Sequence, residues 1–142
     1  MIKLDKVPYR SEVTANGGRD GRAKSSGAVL DLALAVPKEL GGLGGTGRNP
    51  EQLFCRGLCR LLLDAVKFVV RARKIAIPDG ASVAAAVGIG AVPVGYGLEV
   101  DLKVHLLGMD RATAEELVAG AHERCPYSNA TRANIEVRLT VV

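Results

Sequence analysis

The sequence predicts an α+β fold on three observations. A long apolar helix lies mid-chain, alternating strands lie on both sides of it, and no succession of strand-helix-strand units is present. The strands therefore pair mainly antiparallel. At 142 residues with 48% apolar composition, the whole chain, 1–142, reads as one domain with a real core.

The helix spans 49–73, NPEQLFCRGLCRLLLDAVKFVVRAR. Asn49 is a capping residue, Pro50 suits the first helical position, and Gln52 completes a capping-box-like pattern. Leu53, Phe54, Gly57, Leu58, Leu61, Leu62, Ala65, Val66, Phe68, Val69 and Val70 recur at three- and four-residue spacing, so cover is needed on several sides. Arg56, Arg60, Asp64, Lys67 and Arg71 form the wet stripe, with Arg60 and Asp64 one turn apart.

Before the helix, 7–15 reads as a strand, NGGRDG at 16–21 as a hairpin turn carrying Arg19, and 28–36 as a half-buried strand ending at Pro37. GGLGGTG at 41–47 satisfies a dinucleotide fingerprint in spacing alone: the parallel strand ending in an acidic residue, the further units and a phosphate-loop lysine are all missing. After it, strands at about 82–90 and 97–107 form a hairpin through AVPVGYG. Asp110 caps a second helix over 111–124, CPYSNATRAN is a polar loop, and 135–141 alternates as a last strand.

Composition narrows the function. The net charge is +4, but the basic residues are scattered and aromatics make up only 4%, so nucleic-acid binding is not expected. No segment reads as a signal or a membrane span, which leaves a cytoplasmic protein as the expectation. Three cysteines argue against a secreted disulfide framework and for thiol or metal chemistry in a reducing compartment. Cys55 and Cys59 lie one turn apart on one helix and His122 and Cys125 three apart on another, so a tetrahedral zinc site is one alternative. NAT at 129–131 fits a glycosylation acceptor in a chain with nothing secretory about it. His105 and His122 carry no assigned role.

Six stretches, GGRDGR (17–22), ELGGLGGTGRNPEQLF (39–54), KFV (67–69), VGIGAVPVGYGLEV (87–100), GMDRA (108–112) and HERCPYSNATRANIEV (122–137), closely resemble the organic hydroperoxide resistance proteins. These are a branch of the superfamily of osmotically inducible protein C, and the resemblance covers nearly the whole chain. It implies an OsmC-like intertwined homodimer with long central helices wrapped by sheets from both subunits. The implied activity is thiol-dependent reduction of organic hydroperoxides to alcohols in the bacterial cytoplasm. No cofactor is bound, and the reductant is an external lipoyl-type dithiol, dihydrolipoamide or a lipoylated protein.

The resemblance also implies a reactive cysteine on the long helix, a resolving cysteine, an arginine in the glycine turn and a glutamate in N-P-E-Q. Cys125, Arg19 and Glu51 match the last three. A guanidinium near a thiol favours the thiolate and orients a peroxide, and a glutamate can hold that guanidinium by a bidentate pair. The sulfenic acid left by peroxide attack condenses with the second thiol to a disulfide, which a dithiol opens by exchange. An apolar helix around such a site suits fatty or aromatic hydroperoxides better than hydrogen peroxide.

The reactive position departs from the family. Relatives read approximately N-P-E-Q-L-F-A-A-G-Y-A-A-C-F-L, which places their cysteine on Leu61, whereas this chain has CRGLCRLLL at 55–63. Cys59 lies about 200° and Cys55 about 120° around the helix from that position, so neither replaces it. One permitted coding of 55–62, read one base later, spells Ala-Ala-Gly-Tyr-Ala-Ala-Cys, the family pattern. A compensated pair of frameshifts between Phe54 and about Leu63, in the gene or in its sequencing, explains the departure. If Leu61 is real, the expectation is a dimeric scaffold without catalysis.

Overall fold

The computed structural model describes residues 1–142. Its contacts divide the chain into two compact units, Met1–Pro50 and Glu51–Val142.

The first unit is built on a three-stranded antiparallel sheet of β1 (Val13–Asn16), β2 (Arg22–Ser25) and β3 (Asp31–Ala33), in the order β1-β2-β3. The predicted hairpin forms, but its strands differ from those expected. The predicted strand at 7–15 shrinks to its last residues, because 7–12, with Pro8 among them, have no ladder partner and are exposed. The polar stretch RAKS, unassigned in the sequence, is the central strand, and only Asp31–Ala33 of the predicted 28–36 strand pairs with it. Its Arg22 donates to Asp31 at 2.6 Å across that pairing. Loop 41–47 turns back on itself. The amides of Gly41, Gly42 and Gly44 donate to the carbonyls of Lys38, Pro37 and Val36 at 2.9, 3.0 and 3.1 Å. They are thus committed to the chain rather than offered to a phosphate, and the fingerprint is a coincidence of spacing.

In the second unit α1 (Pro50–Ala72) is the predicted helix, about 35 Å long at 1.5 Å per residue. It ends where Lys74 takes a left-handed φ of 57° and the Ile75 amide closes back on the Val70 carbonyl at 3.1 Å. β4 (Ser82–Ala91) and β5 (Tyr96–His105) form the expected antiparallel hairpin. α2 (Arg111–Arg124) starts at Asp110, whose carboxylate accepts from the Thr113 amide at 3.0 Å and the Thr113 hydroxyl at 3.1 Å.

The expected polar loop after α2 is instead a short helix, α3 (Pro126–Thr131), with Pro126 at its start and Ser128 and Thr131 buried. β6 (Glu136–Val141) then pairs parallel with β5, because the chain returns through α2 and α3 rather than a tight turn. The sheet order is β4-β5-β6. Its inner face and α2 enclose Leu58, Leu62, Val66, Val69 and Val70 of α1 with Val100, Leu102, Val104, Leu117 and Val118. No helix is long and apolar enough to cross a membrane.

Candidate functional site

Within the second unit α1 meets the α2-α3 corner through Tyr127, which lies on Phe54 and Gly57. Cys125 ends α2 and caps α3, its amide donating to the Ala121 carbonyl at 2.9 Å and its carbonyl accepting from the Asn129 amide at 3.0 Å. Its side chain is wholly buried in the core cluster that holds Leu58 and Leu62. Leu61, the family's reactive position, is half-buried and packs against the same cluster.

Aromatic cover over this face was not read from the sequence. Tyr127 stacks on Phe54 with ring centroids 5.9 Å apart and planes at 29°. A Cβ on Gly57 would lie 2.5 Å from the Tyr127 ring, so only glycine lets the ring approach the helix this closely. Phe54, Gly57, Leu58 and Leu61 recur at helical spacing, which makes the strip beneath Tyr127 continuous with position 61. The corner itself is pinned. The Thr131 hydroxyl donates to the Tyr127 carbonyl at 2.9 Å, and Arg132 donates to the His122 carbonyl at 2.6 Å and to Asn129 Oδ1 at 2.9 Å. His122 keeps a buried ring Nδ1 without a hydrogen-bond partner, and burial, followed by the charge of Arg132, holds its pKa below the ordinary value.

Glu51 lies in the first turn of α1, half-buried, where a carboxylate suits the helix dipole. In the first unit, Arg19 is half-buried in a short 3-10 turn, Gly18–Asp20. Gly17 and Gly18 supply φ of 75° and 64°, and a Cβ on Gly21 would fall 1.6 Å from the Asn16 carbonyl oxygen. The glycines of GGRDG thus fix the turn that carries the guanidinium.

Cys55 and Cys59 lie elsewhere on α1. Burial pushes the Cys59 thiol up, the charge of Cys55 adds to this, and the Ala85 main-chain amide of β4 acts in the opposite direction. All three cysteines are free. The four side chains weighed as zinc ligands are not brought together: no three His, Cys, Asp or Glu side chains form a metal group. The reason is geometric, since Cys59 turns to β4 while Cys125 is sealed in the core at the α2-α3 corner.

The chain is similar to known proteins over its full length. Residues 43–140 match the family model described as OsmC-like protein. An organic hydroperoxide resistance protein of Xanthomonas axonopodis pv. citri is 48% identical, over 99% of each chain. Among solved structures, an organic hydroperoxide resistance protein OsmC from Legionella pneumophila superposes with a TM-score of 0.91 at 42% identity, covering 96% of this chain and 98% of that one. A structure of a putative organic hydroperoxide resistance protein from Vibrio cholerae, with captopril bound in one of its active sites, gives 0.91 at 41% identity, covering 98% of this chain and 95% of that one. With this fold and this identity, the chain belongs to the OsmC-like family, in its organic hydroperoxide resistance branch.

Proposed function

We propose that the protein is a thiol-dependent peroxidase of organic hydroperoxides whose reactive position is 61 and whose resolving thiol is Cys125. The observation that supports this reading is that Leu61 packs against the core cluster that contains Cys125, on the strip of α1 that continues from beneath Tyr127. With cysteine in place of Leu61, its thiolate attacks the peroxide bond, giving a sulfenic acid and, after proton uptake, the alcohol. The Cys125 thiol displaces water from that sulfenic acid and forms a disulfide. A lipoyl-type dithiol, free dihydrolipoamide or a lipoylated protein, restores both thiols by exchange. Arg19 is assigned to favour the thiolate and orient the peroxide, and Glu51 to hold that guanidinium. The apolar surroundings of position 61 favour alkyl and aromatic hydroperoxides, and the dithiol cycle suits the reducing cytoplasm.

A homodimer belongs to the same proposal. Ile2, Leu4, Val7, Tyr9 and Val13 in the N-terminal stretch, Phe68 on α1 and Val94 and Tyr96 at the β4-β5 tip are exposed large apolar residues in the single chain. That much uncovered apolar surface is characteristic of a partner interface. Analytical ultracentrifugation at micromolar concentration should return a dimer, and a monomer there removes this part of the reading.

The written sequence favours a second reading, because Leu61 packs on the core as an ordinary apolar residue. As written, the chain is then a scaffold without turnover. Three measurements separate the readings. The mass of the peptide across 55–63 identifies the residue at 61. A peroxidase assay with cumene hydroperoxide and dihydrolipoamide should show no turnover with leucine there. Leu61→Cys should bring turnover that is lost again on adding Cys125→Ser or Arg19→Ala. A correctly folded Leu61→Cys protein that stays inactive would remove the peroxidase assignment.

A further inference from the structure

We propose that, in the chain carrying Leu61 and thus resting on the scaffold reading above, Cys55 and Cys59 form a two-coordinate thiolate site for a soft monovalent cation of the copper(I) or silver(I) kind. The two residues stand one turn apart in the interior of α1, where side chains at this spacing are neighbours with Cβ atoms about 5–6 Å apart. Both are half-buried and both are free thiols. Cys59 also meets the Ala85 amide on the edge strand β4, which fixes the side of α1 on which the pair lies.

The donor set selects the ion. Thiolates are soft ligands, and no third His, Cys, Asp or Glu joins the pair. A tetrahedral zinc ion would lack half its protein ligands there, whereas a monovalent d10 ion is satisfied by two sulfurs in line. On binding, the two thiols release two protons to water and take up one cation, leaving one net negative charge. Arg56 and Arg60 follow the two cysteines directly in the chain and are exposed, which places compensating positive charge on the adjoining strip. Cys59 is about 200° around the helix from position 61, so the pair is separate from the proposed peroxide face.

The test is a titration of the reduced full-length protein, with Cys55 and Cys59 verified by peptide mass, against copper(I) buffered by bathocuproine disulfonate. One copper per chain is expected, with loss of binding in Cys55→Ser and in Cys59→Ser and retention in Cys125→Ser. Silver(I) should shield the Cys55 and Cys59 peptides of the unsubstituted protein from iodoacetamide, a readout that does not depend on the variants folding. No binding, equal binding in the double serine variant, dependence on Cys125, or displacement of copper by stoichiometric zinc would each overturn the proposal.

Discussion

Met1–Pro50 buries one side chain, Ala23, whereas Glu51–Val142 holds every other buried residue of the chain. The first unit is shaped by main-chain devices: two ladders of four and three residue pairs, glycine turns, and a loop whose amides bond nearby main-chain carbonyls. The second is shaped by side chains, with α1 and α2 packed on the inner face of a sheet. So small a sheet is marginal by itself, which makes the first unit dependent on cover that its own residues do not supply. The division also separates the proposed chemistry, because the turn bearing Arg19 belongs to the first unit, and Leu61 and the cluster containing Cys125 to the second.

The largest effect expected from this contrast lies in the second unit. Leu62→Ala, at a position with 1% exposure, should cost about 2–5 kcal/mol in urea unfolding through lost burial and the cavity left behind. Leu32→Ala in β3 is the matched change in the first unit, where the leucine is only half-buried. It should cost about 1 kcal/mol or less, as substitutions outside a packed core commonly do. Equal costs for the two would break the comparison.

The same contrast explains what the sequence reveals. α1 was legible because its apolar period runs through six turns behind a proline start, and α2 because Asp110 caps it where expected. β2 was not, since RAKS has no apolar run of its own and becomes a strand only through its two neighbours. α3 reads as a loop in the sequence because its buried residues are Ser128 and Thr131, whose small polar side chains signal a turn. The alternation of β6 was clear, but a parallel and an antiparallel strand alternate alike, so its direction was not.

For the site, the motifs picked out Cys125, Glu51 and Arg19 through resemblance. The roof of Tyr127 on Gly57 joins residues far apart in the chain. Its only trace in the sequence is a glycine inside an otherwise strong helix, a position that often marks close packing.

That roof gives the intermediate prediction. Gly57→Ala gains about 1 kcal/mol of helix propensity, but its methyl meets the Tyr127 ring and overpacking costs about 1–3 kcal/mol, so a net loss is expected. With Tyr127→Ala as background, the same change should become neutral or stabilising, because the opposing ring is gone. Near-UV circular dichroism and urea midpoints for the four proteins of this cycle read the coupling directly. A loss that persists without the ring would place the clash elsewhere and loosen the link between α3 and the α1 face.

The smallest effect is expected on the outer face of the second sheet, where side chains act through charge and not burial. Glu99 and Glu136 stand directly opposite each other across β5 and β6, a repulsive pairing, and Asp101 faces Arg138 two pairs further on, on the same side of the sheet. Arg138 bonds all three carboxylates, at 2.5 and 2.8 Å to Asp101, 2.8 Å to Glu136 and 3.1 Å to Glu99. The guanidinium holds the Asp101 carboxyl below its usual range and its own pKa is raised. A carboxyl depressed in the folded state stabilises above its unfolded pKa, and that contribution is lost as pH falls through the folded value. Arg138→Met should therefore lower the urea midpoint slightly at pH 7. It should also flatten the loss of stability below about pH 4, near the ordinary carboxylate pKa, because the depression of Asp101 is gone. Both differences should shrink in 1 M salt, since these groups are exposed and screened. A midpoint change at pH 7 that salt leaves intact would mean that the stem of Arg138 packs on the strands, and that this face too is held by contact.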